Sequence, residues 1–282
     1  MAKTYLITGT SSGFGRLMTE QLLARGDRVV ATVRDAGALA DLADAHGDRL
    51  RVEVLDLTDT AAIRTVVAHA FAVVGRIDTI VSNAGYGLLG AAEELDDAEI
   101  ERQIATNLTG SIQLIRSALP HLRAQGGGRI VQLSSEGGQI AYPGFGLYHA
   151  TKWGIEGFVE AVAQEVAPFD IDFLLVEPGP TATAFKTGLS RATPMMEYEG
   201  TPSDAVRRSF DTGSFGVLAD AAKSVDAMIE AMDAVAPPLR LALGSAAYGS
   251  IGKALTGRLA AIKAQRSVAV SVDAGDSSKA RL

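Results

Sequence analysis

Near its start the chain runs from an apolar, β-prone stretch over residues 3–8 through Thr8-Gly9-Thr10-Ser11-Ser12-Gly13-Phe14-Gly15 into a segment where Leu17, Leu22 and Leu23 mark one helical face. A strand that feeds a helix through glycines does not return as a hairpin; its neighbour arrives after a crossover and lies parallel to it. The rest of the sequence repeats that alternation. Strand-like runs over 28–33, 50–55, 78–82, 129–134, 171–176 and 239–243 are separated by helical patterns over 36–46, 59–74, 97–124, 148–167 and 218–233. The expected fold is α/β: a doubly wound, seven-stranded, mostly parallel sheet with helices on both faces and a further amphipathic helix over 246–266. With 282 residues and 47% hydrophobic content the chain can bury one large core, so a single domain over 1–270 is expected. Residues 271–282 have the composition of a flexible tail.

Composition removes several classes of function. The absence of Cys excludes disulfides, thiolate nucleophiles and zinc–thiolate sites together. His46, His69, His121 and His149 are scattered without ligand spacing, so no metal site is expected. A net charge of −7 without a basic block argues against nucleic-acid binding and gives anionic membranes nothing to attract. No run approaches the roughly 18 apolar residues of a membrane span. Met1 to Thr8 lead straight into a strand with no signal-peptide cleavage region, which points to the cytoplasm. The expected partner is a small molecule.

The glycine turn is suited to one kind of ligand. Glycines let backbone approach a pyrophosphate closely, and the free N–H groups and dipole of a helix start favour its charge. The spacing here is Gly-x-x-x-Gly-x-Gly rather than Gly-x-Gly-x-x-Gly, and a plain turn capped by a Ser is the competing account. Dinucleotide folds read the adenosine ribose at the end of the next strand, where an acid selects NAD. Here Val33 and Arg34 hold that place; a guanidinium pairs with a 2′-phosphate and favours NADP(H) over NAD(H), unless Asp35 neutralises it. Asp56 and Leu57 follow the third strand on the ligand rim, where Asp56 either accepts from an adenine amino group or belongs to the cap of the next helix. Asn83-Ala84-Gly85 close the fourth strand with residues small enough for backbone contact, or form an Asn-initiated turn.

Chemistry gathers further along. Tyr148 and Lys152 lie four residues apart in a helical segment, so both rise from one face. A phenol with a pKa of about 10 is a poor base near neutrality, and a nearby cation is expected to favour its phenolate. Ser134 and Ser135 end the fifth strand, thirteen residues before Tyr148, and place a hydroxyl within reach of the phenol. Asn107 sits inside the 97–124 helix, where Asn is disfavoured unless its side chain has a task.

Thr8-Gly-x-x-x-Gly-x-Gly15, Asn83-Ala84-Gly85, Asn107, Ser135, Tyr148-x-x-x-Lys152 and Pro178-Gly179, in that order over roughly residues 3–245, resemble the short-chain dehydrogenase/reductase family. The resemblance implies a Rossmann fold and an oxidoreductase interconverting a carbonyl and an alcohol. It implies Tyr148 as the acid/base, Ser135 as the hydrogen-bond partner of the substrate oxygen, and Lys152 as the residue that lowers the phenol's pKa and binds the nicotinamide ribose. Asn107 would hold a water linking Lys152 to solvent. Gly9, Ser11, Ser12, Gly13, Phe14, Gly15, Asn83, Ala84, Gly85, Pro178, Gly179, Thr181 and Thr183 would meet the cofactor, along with Tyr148 and Lys152. The family usually assembles as homodimers or homotetramers.

Residues 181–216 are irregular in pattern and carry Phe185, Leu189, Met195, Met196, Tyr198 and Phe215. In the family this region covers the substrate; its makeup suggests an apolar ligand, although a loop packed on its own core accounts for it equally well. Two other functions are weighed: a 3-oxoacyl-thioester reductase, disfavoured by the acidic net charge, and a dinucleotide-binding sensor without catalysis, disfavoured by the complete Asn107, Ser135, Tyr148 and Lys152 set.

Overall fold

The structure is a computed structural model describing residues 2–183, 185, 188–214 and 216–273. Strands β1 (Thr4–Thr8), β2 (Arg28–Val33), β3 (Leu50–Val54) and β4 (Thr79–Ser82) alternate with helices α1 (Gly13–Arg25), α2 (Ala40–His46) and α3 (Thr60–Val74). A two-residue strand β5 (Leu88–Leu89) precedes α4 (Asp97–Ile104), a π-helical turn (Ala105–Thr109) and α5 (Gly110–Ala124). Then come β6 (Gly128–Leu133), α6 (Gly146–Val166), β7 (Ile171–Pro178), β8 (Ser190–Arg191), α7 (Pro202–Thr212), α8 (Ala221–Asp233), β9 (Arg240–Leu243), α9 (Ser245–Ala264) and α10 (Arg266–Ser271). The main sheet has the order β3-β2-β1-β4-β6-β7-β9, with every neighbouring pair parallel. Its order reverses between β1 and β4, and the strand ends there open a crevice.

Alternation along the strands splits the core in two. Leu6, Val30, Ile80, Ile130 and Leu175 point to the face covered by α3, α5 and α6, where Ile63, Leu114 and Ile155 meet them. Tyr5, Ile7, Val81, Val131 and Val176 point to the other, covered by α1, α2 and α8 through Met18, Leu42 and Met228. Each such fully buried aliphatic side chain contributes about 1.5–3 kcal/mol. Burial on both faces is why the strands read as near-continuous apolar runs.

The structure departs from the pattern in two places. The expected 97–124 helix is broken by the π turn, because Asn107 is tied on both sides to one backbone unit: its Oδ1 accepts from Tyr86 N at 3.1 Å and its Nδ2 donates to Tyr86 O at 2.8 Å. Gly110 follows, packed so closely on Leu57 that a Cβ would lie 2.6 Å from the Leu57 carbonyl oxygen. The 181–216 region is also more ordered than its pattern. β8 pairs with β5, and α7 starts at Pro202, a favoured first helical position. Val206 and Phe210 are the apolar contacts of α7, set among Asp204, Arg207 and Arg208, so the helical stripe is too thin to read. The expected flexible tail begins inside α10, at Ser271; residues 274–282 and Phe215 lie outside the described residues. Among the described residues no helix is long and apolar enough to cross a membrane, and no cluster of His, Asp and Glu is placed to hold a metal.

Candidate active site

The ends of β1, β2, β4, β6 and β7 border a cavity of about 1340 Å³. Every residue expected to contact the cofactor lines it except Gly15, as do Ser135, Tyr148 and Lys152. Gly15 and Asn107 stand one layer behind. A Cβ at Gly15 would lie 2.6 Å from Asn83 Nδ2, so this glycine exists to let α1 pack against the turn. Asn83 does similar work: its Nδ2 donates to Thr8 O at 2.8 Å and Gly9 O at 3.1 Å, while Thr8 Oγ1 accepts from the backbone of Asn83 and Ala84. The ends of β1 and β4 are thereby locked together under the glycine turn.

The turn fits a dinucleotide phosphate by its own geometry. Gly9 and Gly13 have φ of +70° and +57°, conformations that side chains resist. A Cβ on Gly13 would meet nothing within 4 Å. Ser12 caps α1 without a side-chain hydrogen bond and the first turn holds no acid, so its N–H groups remain for an anion. At the adenosine end Arg34 is exposed, and it makes no ion pair with Asp35, whose carboxylate accepts from Gly37 N at 3.0 Å. Asp56 is not the cap of α3; Asp59 is, accepting from Ala61 and Ala62. Asp56 bonds the N–H and hydroxyl of Thr58, which hold its carboxyl below the usual range, with help from Arg34 and Arg102. Arg102, on α4, is a second guanidinium on this rim that the sequence alone did not single out; it falls inside a charged helix face with no motif around it.

At the other end, α6 presents Tyr148 and Lys152 from one face, as their spacing requires. Lys152 Nζ donates to Leu133 O at 2.9 Å and lies 5.6 Å from the centre of the Tyr148 ring. The two serines part company at the end of β6. Ser134 Oγ donates to the buried Glu156 carboxylate, whereas Ser135 Oγ accepts from Gly137 N at 3.1 Å and faces Tyr148. The loop beyond is held by His149, whose Nε2 accepts from Tyr142 N at 3.2 Å and whose Nδ1 lies 3.0 Å from Gly137 O; burial keeps the ring below the ordinary imidazole range.

The expected lowering of the phenol is not found. Burial pushes Tyr148 up to about 12, Ser135 opposes the rise by hydrogen bonding, and the charge of Glu136 adds to it. Burial also brings Lys152 down to about 8, against the pull of Glu156. Two buried groups that each lose solvation cost more than their mutual field returns. A protonated phenol thus stands beside an ammonium whose hold on its proton is loosened by burial.

Leu89, Phe145, Leu189 and Phe210 pack around Tyr148 as a separate apolar cluster, and Phe185 meets the phenol edge-on at 5.9 Å. The segment from β8 through α7 is fastened by the β5–β8 pair and by Glu94, whose buried carboxylate takes Arg207 from α7 and Met195 N at 3.0 Å.

Known proteins share this architecture. Residues 3–194 match the short chain dehydrogenase family. The chain is 35% identical over 257 residues to oxidoreductase BOA17 of Botryotinia fuckeliana, covering 90% of this chain and 93% of that one. It is 35% identical over 199 residues to 3-ketodihydrosphingosine reductase of Bacteroides thetaiotaomicron, covering 71% and 70% respectively. The crystal structure of a short-chain dehydrogenase from Streptomyces avermitilis superposes with a TM-score of 0.90 at 38% identity, over 96% of this chain and 98% of that one. This chain therefore belongs to the short-chain dehydrogenase/reductase family and is an NAD(P)-dependent oxidoreductase.

Proposed function

We propose that the protein interconverts a carbonyl and an alcohol with NADP(H), on a substrate with an apolar body. The observation that carries the reading is one cavity with Arg34 and an uncapped glycine turn at one end and Ser135, Tyr148 and Lys152 at the other. The nicotinamide supplies or takes up the hydride at the substrate carbon. In the reducing direction the carbonyl oxygen gains negative charge; Ser135 holds it by a hydrogen bond and Tyr148 gives it a proton. Lys152 supplies the positive field in which the phenol parts with that proton. The aromatic cluster of Phe145, Phe185 and Phe210 around the phenol excludes water and favours an apolar substrate body, in keeping with the lipid-like substrate named for the Bacteroides relative. Residues 181–216 would serve as the substrate lid. Homodimer or homotetramer formation and a cytoplasmic location belong to the same proposal; light scattering of the purified protein tests the first.

The cofactor choice rests on Arg34. A charge-assisted hydrogen bond is worth about 1.5–3 kcal/mol, so R34A is expected to weaken NADPH roughly ten- to a hundredfold while leaving NADH nearly unaffected. Titration followed by the fluorescence of Trp153, which adjoins Lys152 in sequence, reads both affinities. Equal losses for the two nucleotides would remove the NADP(H) assignment.

A further inference from the structure

Five carboxylates are buried among the described residues: Asp27, Glu94, Glu136, Glu156 and Glu177. Four of them have a guanidinium. Arg25 pairs with Asp27, Arg207 with Glu94, and Arg240 with both Glu156 and Glu177. Glu136 differs. It is 6% exposed, lines the cavity next to Ser135, and its one side-chain hydrogen bond is from Ser250 Oγ to Oε2 at 2.6 Å. No described Lys, Arg or His pairs with it, and Oε1 accepts from no described residue. An unpaired buried carboxylate is costly, and titratable groups held in such surroundings cluster at functional sites.

Its place says which part of a ligand that would be. Glu136 follows Ser135 directly and is close enough to Tyr148 for its charge to act on the phenol, so a group reaching it belongs next to the reacting carbon. A neutral hydroxyl is served as well by Gln as by Glu; what a carboxylate adds is charge. We propose that Glu136 is a specificity-determining residue that receives a protonated amine carried on the carbon adjacent to the carbonyl or carbinol centre. The substrate class is then a 2-amino ketone or 2-amino alcohol with an apolar remainder. This deepens the carbonyl–alcohol reading above and rests on it. Burial already holds the Glu136 carboxyl above its ordinary range, and an ammonium against it would reverse that shift.

The test compares 2-amino-1-phenylethanol with 1-phenyl-1-propanol, which replaces the ammonium by a methyl group. Calorimetric binding to the NADP+-loaded protein is measured alongside oxidation rates. The wild type is expected to bind the amino alcohol at least about tenfold tighter, and E136Q to lose most of that ratio. Thermal melting and NADPH titration show whether E136Q is folded; E136D, which keeps the charge, should retain part of the preference. No preference in the wild type overturns the proposal even if no variant folds, as does a preference that survives in E136Q. Turnover of the methyl compound without preference removes this inference alone, whereas binding of the amino alcohol with turnover of neither compound removes the carbonyl–alcohol reading and leaves the recognition by Glu136 standing.

Discussion

Y148F is expected to lower kcat for carbonyl reduction by about 10²–10⁴, the range over which a positioned proton donor contributes, with NADPH affinity retained. The ring stays in its apolar cluster against Phe145 and Phe185, so the protein should melt as the wild type does. The loss falls on the proton alone. Ser135 keeps its place because it is held by Gly137 N, independently of the phenol. The pH profile carries a second check. Lys152, brought down to about 8, is charged below that pH and loses its proton above it, so reduction should decline as pH rises through about 8. K152M should be slow throughout and lack that limb. Steady-state rates between pH 6 and 10 with NADPH and an apolar ketone measure both effects; unchanged turnover in Y148F would refute the proposed role.

The largest loss of stability is expected from R240A. Arg240 Nη1 contacts both Glu156 and Glu177, and Nη2 reaches Glu160 at 2.7 Å. Removing it leaves two buried carboxylates facing each other, with Gln139 Nε2 as a shared donor at 2.7 and 3.4 Å. Breaking a buried pair from one side costs about 3–5 kcal/mol. The sign of the pH dependence follows from Glu177, whose carboxyl is held above the ordinary range by burial and then by the charge of Glu156. The folded state therefore holds that proton more tightly than the unfolded chain. The group's contribution is present at low pH and is lost as pH rises above the ordinary carboxyl range of about 4. Without Arg240 the effect grows, so the deficit of R240A should be small near pH 4–5 and widen toward pH 8. Urea denaturation at several pH values measures it, and E177Q in the R240A background should recover part. A deficit independent of pH would mean that Arg240 acts through packing alone. The same network bonds Ser134 and precedes Pro178, so activity of the folded fraction should fall with it.

The sequence carried the sheet well because strands buried on both faces announce themselves as Val29-Val30-Ala31 or Leu174-Leu175-Val176, without needing a partner to be recognised. Gly9 was legible as a turn glycine, whereas the brace that Asn83 forms to Thr8 and Gly9 was not, because its motif pointed to cofactor contact or a simple turn. What escaped was set by tertiary contact. The β5–β8 pair is two residues per strand, too short for any period. Arg102 and Glu136 read as ordinary surface charges until the chain brings them to the cavity. The direction of the Tyr148 shift was misjudged because spacing reveals a neighbouring cation but not the loss of water around both groups.

The π turn at Ala105–Thr109 has a consequence for how this helix can vary in length. It carries an extra residue relative to an uninterrupted α-helix, and each residue is worth about 100° of rotation. Deleting one position would let the helix run straight, but either Asn107 would swing away from Tyr86 or the face of Leu114, Ile115 and Ala118 would turn out of the core. A variant of this chain that keeps the Asn107–Tyr86 tie must therefore keep the odd residue as well. A one-residue insertion or deletion between Asp97 and Ala124 is therefore expected to break either that tie or the packing of the helix on the core.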